Sequence, residues 1–256
     1  KNFVCTHEVP ALGAARSIVF HPNNKYVGVI TADNSIALVN LYDLEDRHYL
    51  TDYEGGITEL HIIEDKNMWV GYNTVNSISY QNIDWLAPNY TKLIQEEISE
   101  RMAEWMQRIP DESLQDYNTR VNSEGIAQRT RLLEEEIATR LAQGTLDCSQ
   151  FSLGGYNVEN GVLEINFENL PTIFLSIPQN QLKDFSDASQ LQFNNPRYTI
   201  TEKDGFQLVY LEVLNKYNGK SYIFDNRDRK SLEYLKMEDK YIPLDVLQLK
   251  SIDEGK

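Results

Sequence analysis

The chain has 256 residues, of which 41% are hydrophobic and 25% are charged, a composition typical of a globular protein with two or three small domains. Acidic residues outnumber basic ones by 39 to 24, which gives a net charge of −15. Because such a surface repels phosphate backbones and anionic lipid headgroups, we expect no nucleic-acid binding. No stretch reaches the roughly 18 consecutive apolar residues of a membrane-spanning helix, so we also expect no membrane span.

The two cysteines leave three arrangements open. Cys5 follows only four residues, too few for a signal peptide, and its position near the start is also that of a lipidated cysteine. Cys148 is the second cysteine. Lipidation of Cys5, a Cys5–Cys148 disulfide in an oxidising compartment, and two free thiols are all compatible with this pattern.

Two N-terminal stretches repeat each other at a spacing of roughly 42 residues. The first covers residues 17–28 and 32–38, and the second covers residues 59–71 and 76–79. In both, apolar and polar residues alternate, and Asn-rich or Pro-containing turns separate the alternating runs. The pattern predicts a meander of short antiparallel strands over about residues 1–86.

Residues 20–27 (FHPNNKYV) and 33–41 (DNSIALVNL) resemble a blade of a WD-repeat β-propeller. Val39-Asn40 stands where that family has Trp-Asp. The resemblance, over about residues 14–80, implies blade-like sheets that serve as a platform for protein partners and implies no catalysis. Two blades leave an open edge, so either they are part of a larger propeller or their strands pack on the rest of the chain. We expect the second arrangement.

Residues 87–147 have the periodicity of a helical hairpin. Apolar residues recur at spacings of three and four from Leu93 to Ile109 and from Leu114 to Leu141. Thr91 and Ser113 are candidate N-caps, and Gly144 is a candidate C-cap. This apolar face predicts packing against a sheet, with a groove for a partner helix as the alternative, and Glu136 and Arg140 form an expected i,i+4 pair.

Residues 148–256 read as an antiparallel β module. Asn160-Gly161 and Asn218-Gly219 are hairpin turns, and Gln179 to Asp187 is a candidate short helix. Four segments of the middle and C-terminal regions, residues 116–117, 120–122, 131–138 and 153–157, are similar to a known module. Together they resemble a helix-plus-β module of uncharacterised bacterial cell-envelope proteins. The resemblance implies an envelope location.

Several residue groups have the types found in functional sites, and we expect each to be structural. His21 and His61 occupy similar turn positions and lack the partners of a metal site. Glu134, Glu135 and Glu136 are consecutive, so on a helix they fan out around the axis. The charged turn from Asp225 to Arg229 lacks the spacing of a calcium loop.

The sequence therefore predicts an α+β, mainly β protein: two blade-like antiparallel meanders (1–86), a helical hairpin (87–147) and a C-terminal antiparallel β module (148–256). It predicts no catalytic, cofactor-binding or metal residues and no cofactor. The leading hypothesis is a non-catalytic interaction or scaffold protein, periplasmic or at the cell surface, whose partner is a second copy of itself or an envelope component.

Two alternatives belong to other functional classes. One is a carbohydrate- or peptide-binding module in the C-terminal sheet, which requires an exposed aromatic face such as Tyr198, Tyr210 and Tyr222. The other is a glycan hydrolase, which requires two carboxylates in one pocket, one of them with a raised pKa.

Overall fold

The computed structural model describes residues 14–51, 53, 55–230, 241–244 and 247. It confirms the predicted class: the protein is α+β and mainly β, with several antiparallel sheets. The described residues fall into two compact units, one within 1–92 together with 202–204, and the other within 93–201 and 205–256.

The first unit contains two antiparallel sheets. The strands of the first sheet, in the order β1-β2-β3-β4, are β1 (Ala15–Phe20), β2 (Tyr26–Thr31), β3 (Ile36–Asn40) and β4 (Arg47–Leu50). Those of the second sheet, in the order β5-β6-β7, are β5 (Ile57–Ile63), β6 (Met68–Asn73) and β7 (Ile78–Asn82). Asn24, Asn34 and Asn76 adopt positive φ at the turns between strands, as asparagine does more readily than most residues.

One hydrophobic core is shared by the two sheets of this unit. Trp69 on β6 is fully buried at its centre. The other buried members come from both sheets and the segment after β7; they are Ile30, Ile36, Leu38, Leu50, Ile57, Leu60 and Ile83. On the other face of β2 and β3, Val27, Val29, Ala37 and Val39 form a second buried cluster, so these two strands are covered on both faces.

The resemblance to WD-repeat propeller blades is wrong. The strands form separate sheets, none of the four sheets in the described residues is closed, and the second meander has three strands where the first has four. Asn-rich turns and alternating residues specify hairpins, but they do not specify how successive sheets are arranged. Here the inner faces of the two meanders share one core with each other.

The helices are α1 (Tyr90–Trp105), α2 (Leu114–Arg120) and α3 (Ser123–Gln143). Ser113 caps α2, and Gly144 is the C-cap of α3, both as predicted. The N-cap of α1 differs from the prediction, because Asn89 Oδ1 accepts the amide hydrogen of Lys92 at 2.9 Å. The second half of the hairpin is also divided, because Asn122 caps a new helix.

The second unit also contains two antiparallel sheets. The first has the order β10-β9-β8-β14, with β8 (Phe151–Asn157), β9 (Val162–Phe167), β10 (Ile173–Ser176) and β14 (Tyr241–Pro243). The second has the order β11-β12-β13, with β11 (Leu191–Ile200), β12 (Phe206–Asn215) and β13 (Ser221–Asp225). Gly161 and Gly219 have positive φ at the two predicted hairpin turns, and a 3₁₀ helix covers Gln179–Phe185.

Candidate functional site

The outward face of the β5–β7 sheet is the clearest candidate for a binding surface in the first unit. Two rows of directly opposed residues cross its three strands: Glu59, Tyr72 and Ile78 in one, and His61, Val70 and Tyr80 in the other. We call these six residues the β5–β7 outer face. Tyr72, Ile78 and Tyr80 are 45%, 65% and 66% exposed.

Strand periodicity explains why these side chains point away from the core. Leu60 and Trp69 alternate with the outer-face residues and lie buried on the inward side. At Gly71 a β-carbon would lie 2.7 Å from the Trp69 ring, so a side chain at this position would collide with the indole. The indole is thus held on the inner face. Because side chains alternate along a strand, Tyr72 and its neighbour Ile78 on β7 point to the outer face.

Hydrogen bonds at the turn orient Tyr72. Its hydroxyl donates to Asn76 Oδ1 at 3.0 Å, and Asn76 has a φ of 58° in the β6–β7 turn. The Tyr72 carbonyl accepts a hydrogen bond from Thr58 Oγ1 at 2.9 Å. The ring is therefore oriented before any partner arrives, which reduces the entropy lost on binding.

The ionisable residues on and beside this face are mainly acidic. On the face, His61 Nε2 lies 3.7 Å from Glu59 Oε2. Asp65 and Lys66 lie in the β5–β6 connection, and Asp84 follows β7; all three are exposed. The local balance agrees with the net charge of −15 of the whole chain.

β7 is the last strand in the order β5-β6-β7 and has a strand neighbour on one side. Edge strands of this kind, when they also carry large apolar side chains, are covered in functional assemblies or promote aggregation. Ile78 and Tyr80 were not among the predicted site residues, although their alternation with Ser79 and Gln81 is visible in the sequence.

The two histidines considered as metal ligands lie in different environments, one buried and one exposed. His21 is buried, and its Nδ1 accepts the amide hydrogen of Asn23 at 3.1 Å in the β1–β2 turn. His61 is exposed on the β5–β7 outer face. Among the described residues, no three His, Cys, Asp or Glu side chains gather as a metal-binding group.

The three consecutive glutamates point to different partners. Glu134 pairs with Arg229 at 3.1 Å and accepts a hydrogen bond from Thr199, whereas Glu136 pairs with Arg101 at 2.6 Å. The expected Glu136–Arg140 pair is replaced by a network between α1 and α3, in which Arg140 and Arg101 both bind Glu97. A carboxylate on a neighbouring helix competes with the one four residues away, which sequence spacing alone cannot reveal.

Tyr198, Tyr210 and Tyr222 do not form an exposed aromatic face. Tyr198 and Tyr222 are buried, with 1% and 8% exposure. Tyr210 is half-buried; its hydroxyl donates to Glu212 at 2.8 Å, and the Arg227 guanidinium lies 4.8 Å from its ring centroid. Arg227 is also paired with Asp225 at the β13 end, whereas Arg229 of the same turn pairs with Glu134 on α3.

Cys148 is a free thiol, and its Sγ lies 2.9 Å from the Tyr198 hydroxyl. Burial raises the pKa of this thiol above its ordinary value, which disfavours the reactive thiolate. The predictions that involve Cys5 lie outside the described residues.

Within the described part of the chain, no helix is both long and apolar enough to cross a membrane. No protein-family model matches this chain, and no curated protein matches it at a significant level. The resemblance of the middle and C-terminal segments to a module of bacterial cell-envelope proteins was therefore wrong as a family assignment.

Proposed function

We propose that this chain is a non-catalytic protein-interaction module that binds a partner protein through the β5–β7 outer face. The supporting observation is the exposure of Tyr72, Ile78 and Tyr80 side by side on one sheet face. Tyrosine is enriched in protein interfaces because it combines a large apolar surface with a polar end and few rotatable bonds.

Charge complementarity defines the partner. Of the charged side chains that the structure describes on and beside the face, Glu59, Asp65 and Asp84 are acidic and Lys66 is basic. A matching surface is therefore apolar at its centre and basic at its rim. A second copy of this acidic chain fits less well, because like charges would face each other.

The glycan-hydrolase alternative receives no support from the described carboxyl groups. Each of them whose pKa is displaced is displaced downward, by hydrogen bonds or cationic neighbours, as Glu112 and Asp184 are. A general acid needs a carboxyl group whose pKa is raised. The carbohydrate-binding alternative required the three-tyrosine face, which the burial of Tyr198 and Tyr222 removes.

Site-specific cross-linking tests the proposal. A photoreactive phenylalanine replaces Tyr80 on the outer face or, as a control, Tyr217, which is 87% exposed in the second unit. Each protein is irradiated with the membrane-envelope and soluble fractions of the source cells, so that the predicted periplasmic or surface location is examined at the same time. A partner identified from position 80 is then purified and its affinity is measured directly.

We expect the purified partner to bind the wild-type chain, to bind more weakly at high salt, and to lose affinity when Ile78→Ser and Tyr80→Ser are combined. Both positions are exposed, so the double variant should unfold at nearly the wild-type temperature. Equal cross-linking from positions 80 and 217, or equal affinity of the folded double variant, would refute the proposed face.

A further inference from the structure

In the second unit, a cavity of about 820 Å³ runs along one end of β8. Phe151, Ser152, Leu153 and Gly154 form one wall. The remaining lining includes Glu164 on β9, Phe185 at the end of the 3₁₀ helix, and the β14 residues Tyr241 and Pro243. We call this cavity the β8 groove.

The groove begins where the β8–β14 ladder ends. β14 pairs with β8 only from Tyr241 opposite Asn157 to Pro243 opposite Gly155. Proline has no amide hydrogen to donate to a ladder, and Leu244 already has helical conformation. On this side, residues 151–154 of β8 thus have no strand partner among the described residues.

A glycine pair shapes the groove at the same point. Gly154 and Gly155 together oppose Glu164, which is the two-against-one pattern of a β-bulge. At Gly154 a β-carbon would lie 2.7 Å from Glu164 Cβ, and at Gly155 it would lie 2.7 Å from Tyr241 Cβ. The absence of side chains at both positions therefore lets the Glu164 carboxylate reach the strand edge.

Glu164 supplies a charge in the groove. It is half-buried, and its Oε2 accepts the amide hydrogen of Gly155 at 3.0 Å. Within the described ranges, no Lys, Arg or His side chain forms an ion pair with it. A half-buried carboxylate that lacks a cation favours a ligand that brings one.

The size of the groove agrees with one added strand. A strand of four extended residues is about 13 Å long. Its cross-section is about 4.8 Å, the distance between neighbouring strands, by about 10 Å, the distance between packed sheets. Such a segment occupies roughly 630 Å³, which is less than the 820 Å³ available. The partly exposed apolar side chains of Phe151 and Leu153 lie along the same edge and offer contacts to alternate residues of the segment.

We propose that the β8 groove binds an extended basic peptide segment of a partner protein, which adds as a strand to residues 151–154 and places a Lys or Arg against Glu164. Main-chain hydrogen bonds supply affinity in such strand addition, and the pockets for alternate side chains supply selectivity. The acidic net charge of this chain disfavours a second copy as the occupant.

Binding of defined peptides tests this assignment. The probe is fluorescein-labelled Val-Lys-Val-Lys-Val-Lys with blocked ends, and its counterpart has Glu in place of Lys. Two further probes carry N-methyl groups on one or the other set of alternate residues, which removes the amide hydrogens on one edge of the strand. Glu164→Gln is the test variant, and Glu168→Gln is its control. Glu168 directly follows β9, is exposed and does not line the groove.

We expect saturable binding of the Lys peptide, no binding of the Glu peptide, and loss of binding for at least one N-methylated probe. Glu164→Gln should weaken binding by about tenfold, as loss of a charge-assisted pair does, and Glu168→Gln should leave it unchanged. Hydrogen exchange should show new protection at those amides of residues 151–154 that point away from β9. Equal binding to both glutamate variants, or to all backbone-methylated probes, would overturn the proposal. So would protection, before peptide is added, of the amides of 151–154 that point away from β9, because the groove would then be filled by this chain or a second copy.

Discussion

Lys25 and Asp204 form a buried ion pair in the first unit, with Nζ 2.8 Å from Oδ2 and side-chain exposures of 5% and 0%. Lys25 also donates to the Pro88 carbonyl at 3.0 Å. Asp204 accepts hydrogen bonds from the amide groups of Tyr90 and Thr91 and from the Thr91 hydroxyl. Both charges are thus surrounded by partners, and the carboxylate lies at the positive N-terminal end of α1.

Replacement of either member of this pair should destabilise the protein strongly. We expect Asp204→Asn or Lys25→Met to lower the free energy of unfolding by about 3–5 kcal/mol, because the remaining charge stays buried without its counterion. Urea unfolding at neutral pH measures the loss. The matched control is Lys203→Met, which breaks the exposed pair with Asp43 and should cost at most about 1 kcal/mol. A similar small loss for both lysine variants would contradict this account.

Glu112 should make the α1–α2 junction sensitive to acid. The Arg120 guanidinium binds both carboxylate oxygens, at 2.7 and 2.8 Å, and lowers the pKa of Glu112 from 4.5 to about 2. A carboxyl group whose folded-state pKa is depressed stabilises the fold above its unfolded pKa, and this contribution disappears as the pH falls toward the folded value. Stability from this pair should therefore be complete above about pH 5 and decline down to about pH 2.

Thermal unfolding between pH 7 and pH 2.5 tests the sign. Glu112→Gln should unfold at a lower temperature than the wild-type protein at pH 7, and the two curves should converge as the pH falls. Glu100→Gln changes an exposed glutamate on α1 by the same charge and should follow the wild-type curve. A constant difference between Glu112→Gln and wild type at every pH would show that the pair does not respond to pH.

Local signals in the sequence predicted the hairpins and two of the caps. Asn-Gly turns at Gly161 and Gly219 need positive φ, and Ser113 needs only the amide hydrogen of a residue three positions later. These requirements involve neighbours in sequence, so composition and spacing suffice to predict them. The division of residues 114–143 into two helices escaped prediction, because the apolar stripe continues across Asn122.

Features that depend on distant residues could not be predicted in this way. Asp204 lies more than a hundred residues after Thr91, and its carboxylate accepts hydrogen bonds from the Thr91 amide and hydroxyl. No pattern near either residue indicates this contact. The same is true of Arg140, whose partner Glu97 lies on another helix. For the β5–β7 outer face, alternation predicted the strands, but which side is covered depends on the core around Trp69.

Tyr222 should stabilise the second unit through its hydroxyl group. The Tyr222 hydroxyl donates to Asp184 Oδ2 at 2.6 Å, and burial followed by this hydrogen bond raises the pKa of the tyrosine. We expect Tyr222→Phe to lower the free energy of unfolding by about 1.5–3 kcal/mol, the usual range for a hydrogen bond to a charged group. Tyr217→Phe, at an 87% exposed site, should change it by less than about 0.5 kcal/mol. Equal unfolding midpoints for the two variants in urea would argue that Lys220 alone satisfies Asp184.

Gly154 in the β8 bulge should not tolerate a side chain without a loss of stability. An added β-carbon would lie 2.7 Å from both Cβ and Oε2 of Glu164 and 2.9 Å from Nδ2 of Asn166, so neighbouring atoms on β9 must move. We expect Gly154→Ala to cost about 1–3 kcal/mol, as overpacking does. Gly144→Ala is the control, because the nearest atom there is the Leu141 carbonyl oxygen at 3.6 Å and φ is −82°; its effect should be within about 1 kcal/mol in either direction.

The double variant Gly154→Ala with Glu164→Ala separates two causes of that loss. Removal of the Glu164 carboxylate takes away the Oε2 contact at 2.7 Å but leaves Cβ in place, so only part of the stability should return. Full recovery, measured by urea unfolding relative to Glu164→Ala alone, would mean that the carboxylate, and not Cβ of residue 164 or the Asn166 side chain, requires glycine at position 154. In that case the bulge serves to admit the charged group to the groove, since the β8–β9 pairing itself would tolerate a side chain there.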